Sequence, residues 1–304
     1  MINLKHAYYV MTILEEGGVT AAAKKLYISQ PSLSQTIKSV EDDLGAAIFD
    51  RGAKQLTLTC AGKKYVEAMQ DAMTIEKNLR NEIMEIKNEN SGLLRIGISA
   101  QRGISLLPQI LPEFIEKYPL VQIELVEYSS GRLEEIVDQG SCDVAFITTT
   151  PKQNHIEYRL VENEQIVLMA SRRTEIAGRL EEGTEIELNE AKDEKFVNLT
   201  PGHSVRVIQD RLTALHHVET RILLETHNLE AAKLITARVN AVMVCPYSHI
   251  TGDAALERLT KCYPLRCHGF ERHFYFCYRK KLRLPRYMED LFEIARSKCK
   301  YHTM

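Results

Sequence analysis

Apolar residues at helical spacing shape the first ninety positions of this 304-residue chain, and short strand-like runs alternating with helical ones fill the rest. Leu33, Ile37, Val40 and Leu44 fall on one face of a helix, leaving Gln30, Ser32, Ser34, Gln35 and Lys38 on the polar side. Ahead of it, Thr20 opens a short helix in which Ala21, Ala22, Ala23 and Leu26 offer small faces for close packing. Tyr27-Ile28-Ser29 makes the turn between the two. Ser29 is a candidate N-cap, because its hydroxyl can accept an orphan backbone N–H, and Pro31 is tolerated in a first turn. Two helices so joined form a helix-turn-helix. The polar N-terminal face of the second carries groups that hydrogen-bond base edges and phosphates, which a helix laid in a major groove requires.

The pattern then changes period. Ala46–Arg51 and Leu56–Thr59 are strand-like runs around a glycine-containing tip at Gly52-Ala53-Lys54-Gln55, which predicts a hairpin wing with Arg51 and Lys54 placed for phosphate contact. From Ala61 to Asn88 there is no proline, and Tyr65, Met69, Ala72, Leu79, Ile83 and Ile86 trace a seam broken once by Glu76. A seam this long needs a covering surface. A second copy of the chain satisfies that need, and packing on the chain's own C-terminal part is the alternative. Asn88–Gly92 breaks the helix and marks a boundary.

Residues 93–304 alternate strand and helix, so a mainly parallel α/β arrangement is expected. Leu93–Ile98, Val121–Val126 and Asp143–Ile147 read as strands of one lobe, with helices through Leu106–Ile115 and Ser130–Gln139. A second lobe starts near Gln165–Met169. It continues through Lys195–Leu199, a helix after His203, Arg221–Glu225, a helix after Asn228, and Ala241–Cys245. The tail, with a strand at Phe274–Tyr278 and a helix at Arg286–Lys298, is expected to return to the first lobe. Ligands of open α/β sheets bind beyond the carboxyl ends of strands. Those ends carry Ser99, Ala100, Gln101 and Arg102, then Ser130, Thr148 and Thr149, and in the second lobe Thr200, Gly202, His203 and Asn228. Hydroxyls beside helix N-termini suit a small anion, and Arg102 adds a countercharge if it faces the cleft. The same residues also serve as ordinary loop caps, so the cluster carries the reading rather than any single member.

Composition narrows the function classes. A net charge of −2 argues against nucleic-acid binding over the whole surface. Residues 1–65 hold eight Lys/Arg against six Asp/Glu, so the DNA contact is local. No run approaches the ~18 apolar residues of a membrane span, and the start lacks a signal-peptide core; a cytoplasmic protein without membrane association is expected. The seven cysteines lack a zinc-type pairing, and the ten histidines lack acidic neighbours at ligand spacing, so no metal and no cofactor is expected. Cys262 and Cys267 are the pair to examine for redox behaviour. No nucleophile elbow, Walker loop or dinucleotide fingerprint occurs, which argues against an enzyme.

The amino-terminal residues resemble the LysR-type transcriptional regulators. The match runs through Leu4, Val10, Glu15-Glu16-Gly17, Thr20, Ala22-Ala23, Leu26, Ser29-Gln30-Pro31-Ser32-Leu33-Ser34-Gln35, Ile37, Glu41, Leu44-Gly45, Ile48-Phe49, Arg51, Leu58-Thr59 and Ala61-Gly62. Gly18, Gln35-Thr36 and Cys60 depart from the pattern, where the family favours Ser, Arg-Gln and Glu. The resemblance implies an α/β protein with a helix-rich N-terminal winged helix-turn-helix and a C-terminal two-lobed domain like periplasmic binding proteins. The implied division is a DNA-binding domain at 1–60, a dimerising linker helix at 61–90, and two effector-binding subdomains at 91–163 plus 268–304 and at 164–267. It also implies DNA contacts at Thr20, Gln30, Pro31, Ser32, Ser34, Gln35, Lys38, Arg51 and Lys54, and a small effector, often a carboxylate, held between the lobes. Double-stranded operator DNA, RNA polymerase and further copies in a homodimer or homotetramer are the implied partners. Peroxide-sensing members carry a reactive cysteine early in the second subdomain, and residues 196–210 contain none.

Overall fold

The computed structural model describes residues 3–50, 56–87, 91–267, 269 and 272–299. The chain divides into two units, residues 1–89 with 280–285, and residues 90–279 with 286–304.

The first unit begins with α1 (Leu4–Glu15), capped by the Asn3 side chain, followed by α2 (Val19–Lys25) and α3 (Gln30–Leu44). A two-stranded hairpin follows, β1 (Phe49–Asp50) and β2 (Thr57–Leu58), and then the 27-residue α4 (Cys60–Ile86). Ala22, Ala23, Leu33, Ile37, Val40, Ile48 and Phe49 close one core with Tyr65 and Met69 of α4. Leu44, expected in that core, is 38% exposed, because α3 ends there on a left-handed Gly45.

The turn between α2 and α3 is a Schellman ending. The Ile28 N–H returns to the Ala23 carbonyl and the Tyr27 N–H to Lys24, which places Tyr27 at φ 54°. A left-handed conformation costs an L-residue roughly 1–2 kcal/mol, and the Tyr27 ring, 96% exposed, recovers nothing through packing. Tyr27→Gly is therefore expected to stabilise this unit by about 0.5–1 kcal/mol in urea unfolding, after allowing for glycine's greater freedom in the unfolded chain. A loss of stability would show that the ring is held by a contact.

The second unit contains two five-stranded mixed sheets. β3 (Gly92–Ile98), α5 (Ala100–Lys117), β4 (Val121–Glu127), α6 (Ser130–Gln139), β5 (Val144–Thr148) and β6 (Ile156–Glu164) build the first lobe. The second lobe holds β7 (Ile166–Ser171), α7 (Glu175–Arg179), β8 (Lys195–Leu199), α8 (Ser204–Leu215) and β9 (Arg221–Thr226). It is completed by α9 (Leu229–Arg238), β10 (Val242–Pro246), α10 (Ala254–Leu259) and β11 (Thr260–Pro264). The chain then returns through β12 (Arg272–Arg279) and α11 (Arg286–Cys299), and β12 inserts between β5 and β6.

The expected mainly parallel sheets are thus corrected to mixed ones. β4-β3-β5 run parallel, but β12 is antiparallel to both its neighbours, and β7 is antiparallel to β10 and β11. Strands β6 and β11 carry no clean apolar alternation in the sequence. β6 reads Ile-Glu-Tyr-Arg-Leu-Val-Glu-Asn-Glu, and two of its buried positions are glutamates, Glu162 and Glu164. In each lobe the core lies between sheet and helices, as with Leu168, Phe196, Val244 and Leu212 in the second.

Candidate functional site

On the first unit, α3 presents a polar edge. Ser29 caps it by accepting the Ser32 N–H at 3.3 Å, which fixes the start of the helix and the direction of its first turn. Gln30, Pro31, Ser32, Gln35 and Lys38 are exposed, Ser34 is half-buried, and Thr20 is exposed on α2. Gln30 Nε2 donates to Ser34 Oγ at 3.0 Å, so these two present a joined pair of polar groups. Arg51 and Lys54 lie outside the described residues. Two residues of the matched amino-terminal pattern, to which the sequence assigned no contact, hold the hairpin against the helices. The buried Glu41 carboxylate accepts the Ile48 N–H at 2.8 Å and the Phe49 N–H at 3.3 Å. Thr59 donates to the Ala47 carbonyl at 2.6 Å and accepts the Gly62 N–H at 2.9 Å.

On α4, Tyr65 and Met69 of the expected seam are consumed by the core of their own unit. Further along, Ile75, Leu79, Ile83 and Ile86 remain exposed at spacings of three and four, so an apolar stripe persists over the second half of the helix.

In the second unit, a cavity of about 440 Å³ opens between the lobes, within the range of about 300–1,000 Å³ usual for small-molecule sites. Of the strand-end residues expected there, Ser99, Gln101, Arg102, Ser130, Thr148, Gly202 and His203 line it. Ala100, Thr149, Thr200 and Asn228 do not line it. Asn228 is spent capping α9 through the Ala231 N–H, and Thr149 reaches Glu134 instead. Ser99 caps α5 and Ser130 accepts the Thr148 N–H, so each is also a local structural group.

Arg102 is not a free countercharge. It is 4% exposed and lies 2.5 Å from Glu162 Oε2 and 3.5 Å from Glu164 Oε1, with its guanidinium 4.1 Å from the Phe274 ring centre. Its Nη1 also donates to Ser248 Oγ of the second lobe at 2.5 Å. Arg272, at the amino end of β12, sits 3.1 Å from Glu164 and donates to Ser204 Oγ at the start of α8. Ser204, which closes the strand-end loop 200–204, lines the cavity as well, whereas Glu164, His249, Arg272 and Phe274 line it and were missed as site residues. Glu164 ends a strand whose sequence hides its period. Arg272 opens a strand antiparallel to β5, so its amino end meets the same sheet edge as the carboxyl ends of β3 and β5. His249 follows the carboxyl end of β10, where the strand-end rule does reach.

His203 joins the lobes too. Its Nδ1 accepts the Val205 N–H as the α8 cap, so Nε2 carries the proton and donates to Gln101 Oε1 at 3.0 Å. Gln101 Nε2 in turn reaches the His227 carbonyl at 3.5 Å. Burial and the Arg272 charge lower the His203 pKa to about 4. His249 is held well below its usual range, first by burial and then by Arg102, Arg272 and Lys233. The sign follows from linkage. A histidine whose folded pKa is depressed contributes stability that is full above the unfolded value of roughly 6.5, and the contribution is lost as pH falls toward about 4. In an NMR titration the His203 ring is expected to titrate near pH 4; a midpoint near 6.5 would show the ring to be solvated.

Cys262 and Cys267 lack the surroundings of an activated thiolate. Burial pushes Cys267 up to about 11 and Cys262 higher, the reverse of an activated thiolate. Among the described residues, no group of three or more His, Cys, Asp or Glu is placed to hold a metal ion. No described helix is long and apolar enough to cross a membrane.

Helices, hairpin and two-lobed unit together define a DNA-binding protein with a ligand-binding module, and comparison with known proteins agrees. Residues 4–63 match the bacterial regulatory helix-turn-helix protein model of the lysR family, and residues 87–300 match the LysR substrate binding domain. The chain therefore belongs to the LysR family of DNA-binding transcriptional regulators, which carry an effector-binding domain and are not enzymes. It is 26% identical over 238 residues to the HTH-type transcriptional regulator YybE of Bacillus subtilis (strain 168), covering 78% of this chain and 80% of that one. Full-length OxyR from Pseudomonas aeruginosa shares the fold at a TM-score of 0.73 and 22% identity, over 97% of this chain and 98% of that one. Full-length CbnR solved with its target DNA superposes at 0.53 and 20% identity, covering 97% and 99%.

Proposed function

We propose that this regulator senses a small metabolite in the cavity between its two lobes and converts its occupancy into altered promoter contact. The observation that carries this reading is the set of side chains spanning the cleft: Gln101 to His203, Arg102 to Ser248, and Arg272 to Ser204. A ligand seated among them binds one lobe arrangement better than another, which is the condition for any ligand-driven shift. The exposed Ile75–Ile86 stripe on α4 supports pairing with a second copy, and two such pairs make a tetramer on a two-fold operator. Lobe closure changes the spacing of the DNA-binding units and thereby the recruitment of RNA polymerase in the cytoplasm.

The cleft is tested by thermal unfolding of the full chain against amino acids, aliphatic and aromatic carboxylates, amines and neutral polar metabolites. A saturable rise in Tm for one chemical class is expected. No shift with any compound, in protein that still binds DNA, would overturn the reading.

On the DNA side, Gln30, Ser32, Ser34, Gln35 and Lys38 read bases, with Thr20 and Pro31 beside them, while Arg51 and Lys54 hold phosphates. Gln35→Ala is expected to weaken binding about tenfold on a site selected from random sequence and to leave unselected DNA unaffected. Arg51→Ala should weaken both alike and reduce the salt slope by about 0.9. Equal losses on both DNAs for Gln35→Ala would remove its base-reading role.

A further inference from the structure

The buried charged cluster beside the interlobe cavity balances in formal charge, although of its two carboxylates only Glu164 lines the cavity. Arg102 and Arg272 face Glu162 and Glu164, and the two nearby histidines are neutral at pH 7. A ligand with a net charge would therefore enter a buried cluster that already balances.

The hydrogen bonding of this cluster is nonetheless unfinished. Arg272 Nη1 and Arg102 Nε are buried without a hydrogen-bond partner, and Glu164 Oε1 accepts no hydrogen bond although it is ion-paired with Arg102 Nη1 at 3.5 Å. The Glu164 side chain is fully buried and that of Arg102 is 5% exposed. Both arginines and Glu164 line the cavity. Leaving such groups unsatisfied costs more than an ordinary hydrogen bond returns, so a ligand that completes them gains disproportionately.

What completes them is specific. Arg272 Nε lies 3.1 Å from Glu164 Oε2, so the two side chains that carry the unpartnered Nη1 and Oε1 are neighbours. A matching ligand needs an anionic acceptor and a donor on neighbouring atoms, with no net charge. Resting on the reading of the cleft as the effector site, we propose that the effector is a zwitterionic α-amino acid, its carboxylate completing Arg272 and its ammonium completing Glu164. Ser204, already bonded to Arg272, opens the 12-residue α8, whose amino-terminal dipole favours the carboxylate end. Phe146 and Phe274 give the cavity an apolar wall for the ligand's side chain. A simple carboxylic acid leaves Glu164 unmet and adds a buried negative charge; a simple amine does the converse.

The test is calorimetric titration of the full-chain protein with the twenty standard L-amino acids. For each that binds, its deaminated acid and its decarboxylated amine follow. Binding of one or a few amino acids is expected, with both truncated analogues at least about tenfold weaker. Glu164→Gln should weaken the amino acid by a similar factor and erase the preference over its deaminated analogue, which a purely structural role for Glu164 would not do. Arg272→Ala should erase the preference over the amine. The analogue series on the unaltered protein decides the matter even if a variant fails to fold. Deaminated acids or neutral polar metabolites binding as tightly as any amino acid would overturn the amino-acid assignment and leave the cleft reading intact. Absence of binding by every class in the wider metabolite panel would overturn both.

Discussion

Arg102→Ala is expected to destabilise the two-lobed unit by about 3–5 kcal/mol, the usual result of removing one partner from a buried ion pair. The side chains of Glu162 and Glu164 are 4% and 0% exposed, and without the guanidinium Glu162 loses its closest cation and Glu164 keeps only Arg272. The Phe274 ring loses the cation stacked on it, and Ser248 loses its bond across the cleft. Urea unfolding of the full chain, following the transition of this unit, measures the effect. Adding Glu162→Gln to Arg102→Ala should restore part of the loss, because the surviving carboxylate then stands closer to charge balance with Arg272. A loss under about 1 kcal/mol for Arg102→Ala would show that Arg272 alone neutralises both carboxylates.

Gly62→Ala should have the second large effect, and it should fall on DNA binding. A Cβ on Gly62 would stand 2.9 Å from the Ile48 carbonyl carbon and closer still to its oxygen. Both are backbone atoms, so no rotamer change relieves the clash; either the first turn of α4 or the strand leading into the hairpin must move. Moving them strains the Thr59 bonds to Ala47 and Gly62 that join hairpin to helix. Overpacking costs about 1–3 kcal/mol when side chains give way, and a backbone collision belongs at or above the upper end. The expected result is a loss of about 3 kcal/mol in the N-terminal unit with a fall in affinity for all DNA. Unchanged affinity and stability would mean that the hairpin and α4 are not in register as described.

The DNA-reading half was legible because its determinants are local. Ser29 caps whatever helix follows it, Pro31 fits a first turn, and Leu33, Ile37 and Val40 fall on one face under helical geometry alone. None of these depends on a residue distant in the chain. Glu41 was not legible. It sits mid-helix like any surface glutamate, and only the folded hairpin brings the Ile48 and Phe49 N–H groups to it.

In the two-lobed half, the strand-end rule located part of the cavity, because Ser99, Ser130 and Gly202 lie where parallel strands deliver them. It failed for strands that run the other way or conceal their period. Glu162 and Glu164 alternate with Asn163 in a segment whose apolar signal is diluted, and burial of glutamates becomes possible only once Arg102 and Arg272 arrive from α5 and β12. Arg102 itself reads as a solvated loop arginine until its partners, about sixty residues on, close around it. By itself the sequence determined most of the elements, the order of the lobes and the helix-turn-helix, since helix and strand periodicity and capping act over a few residues. Tertiary structure alone decided which charges are buried together and what the cavity lacks, since that balance is struck between residues from separate strands and both lobes.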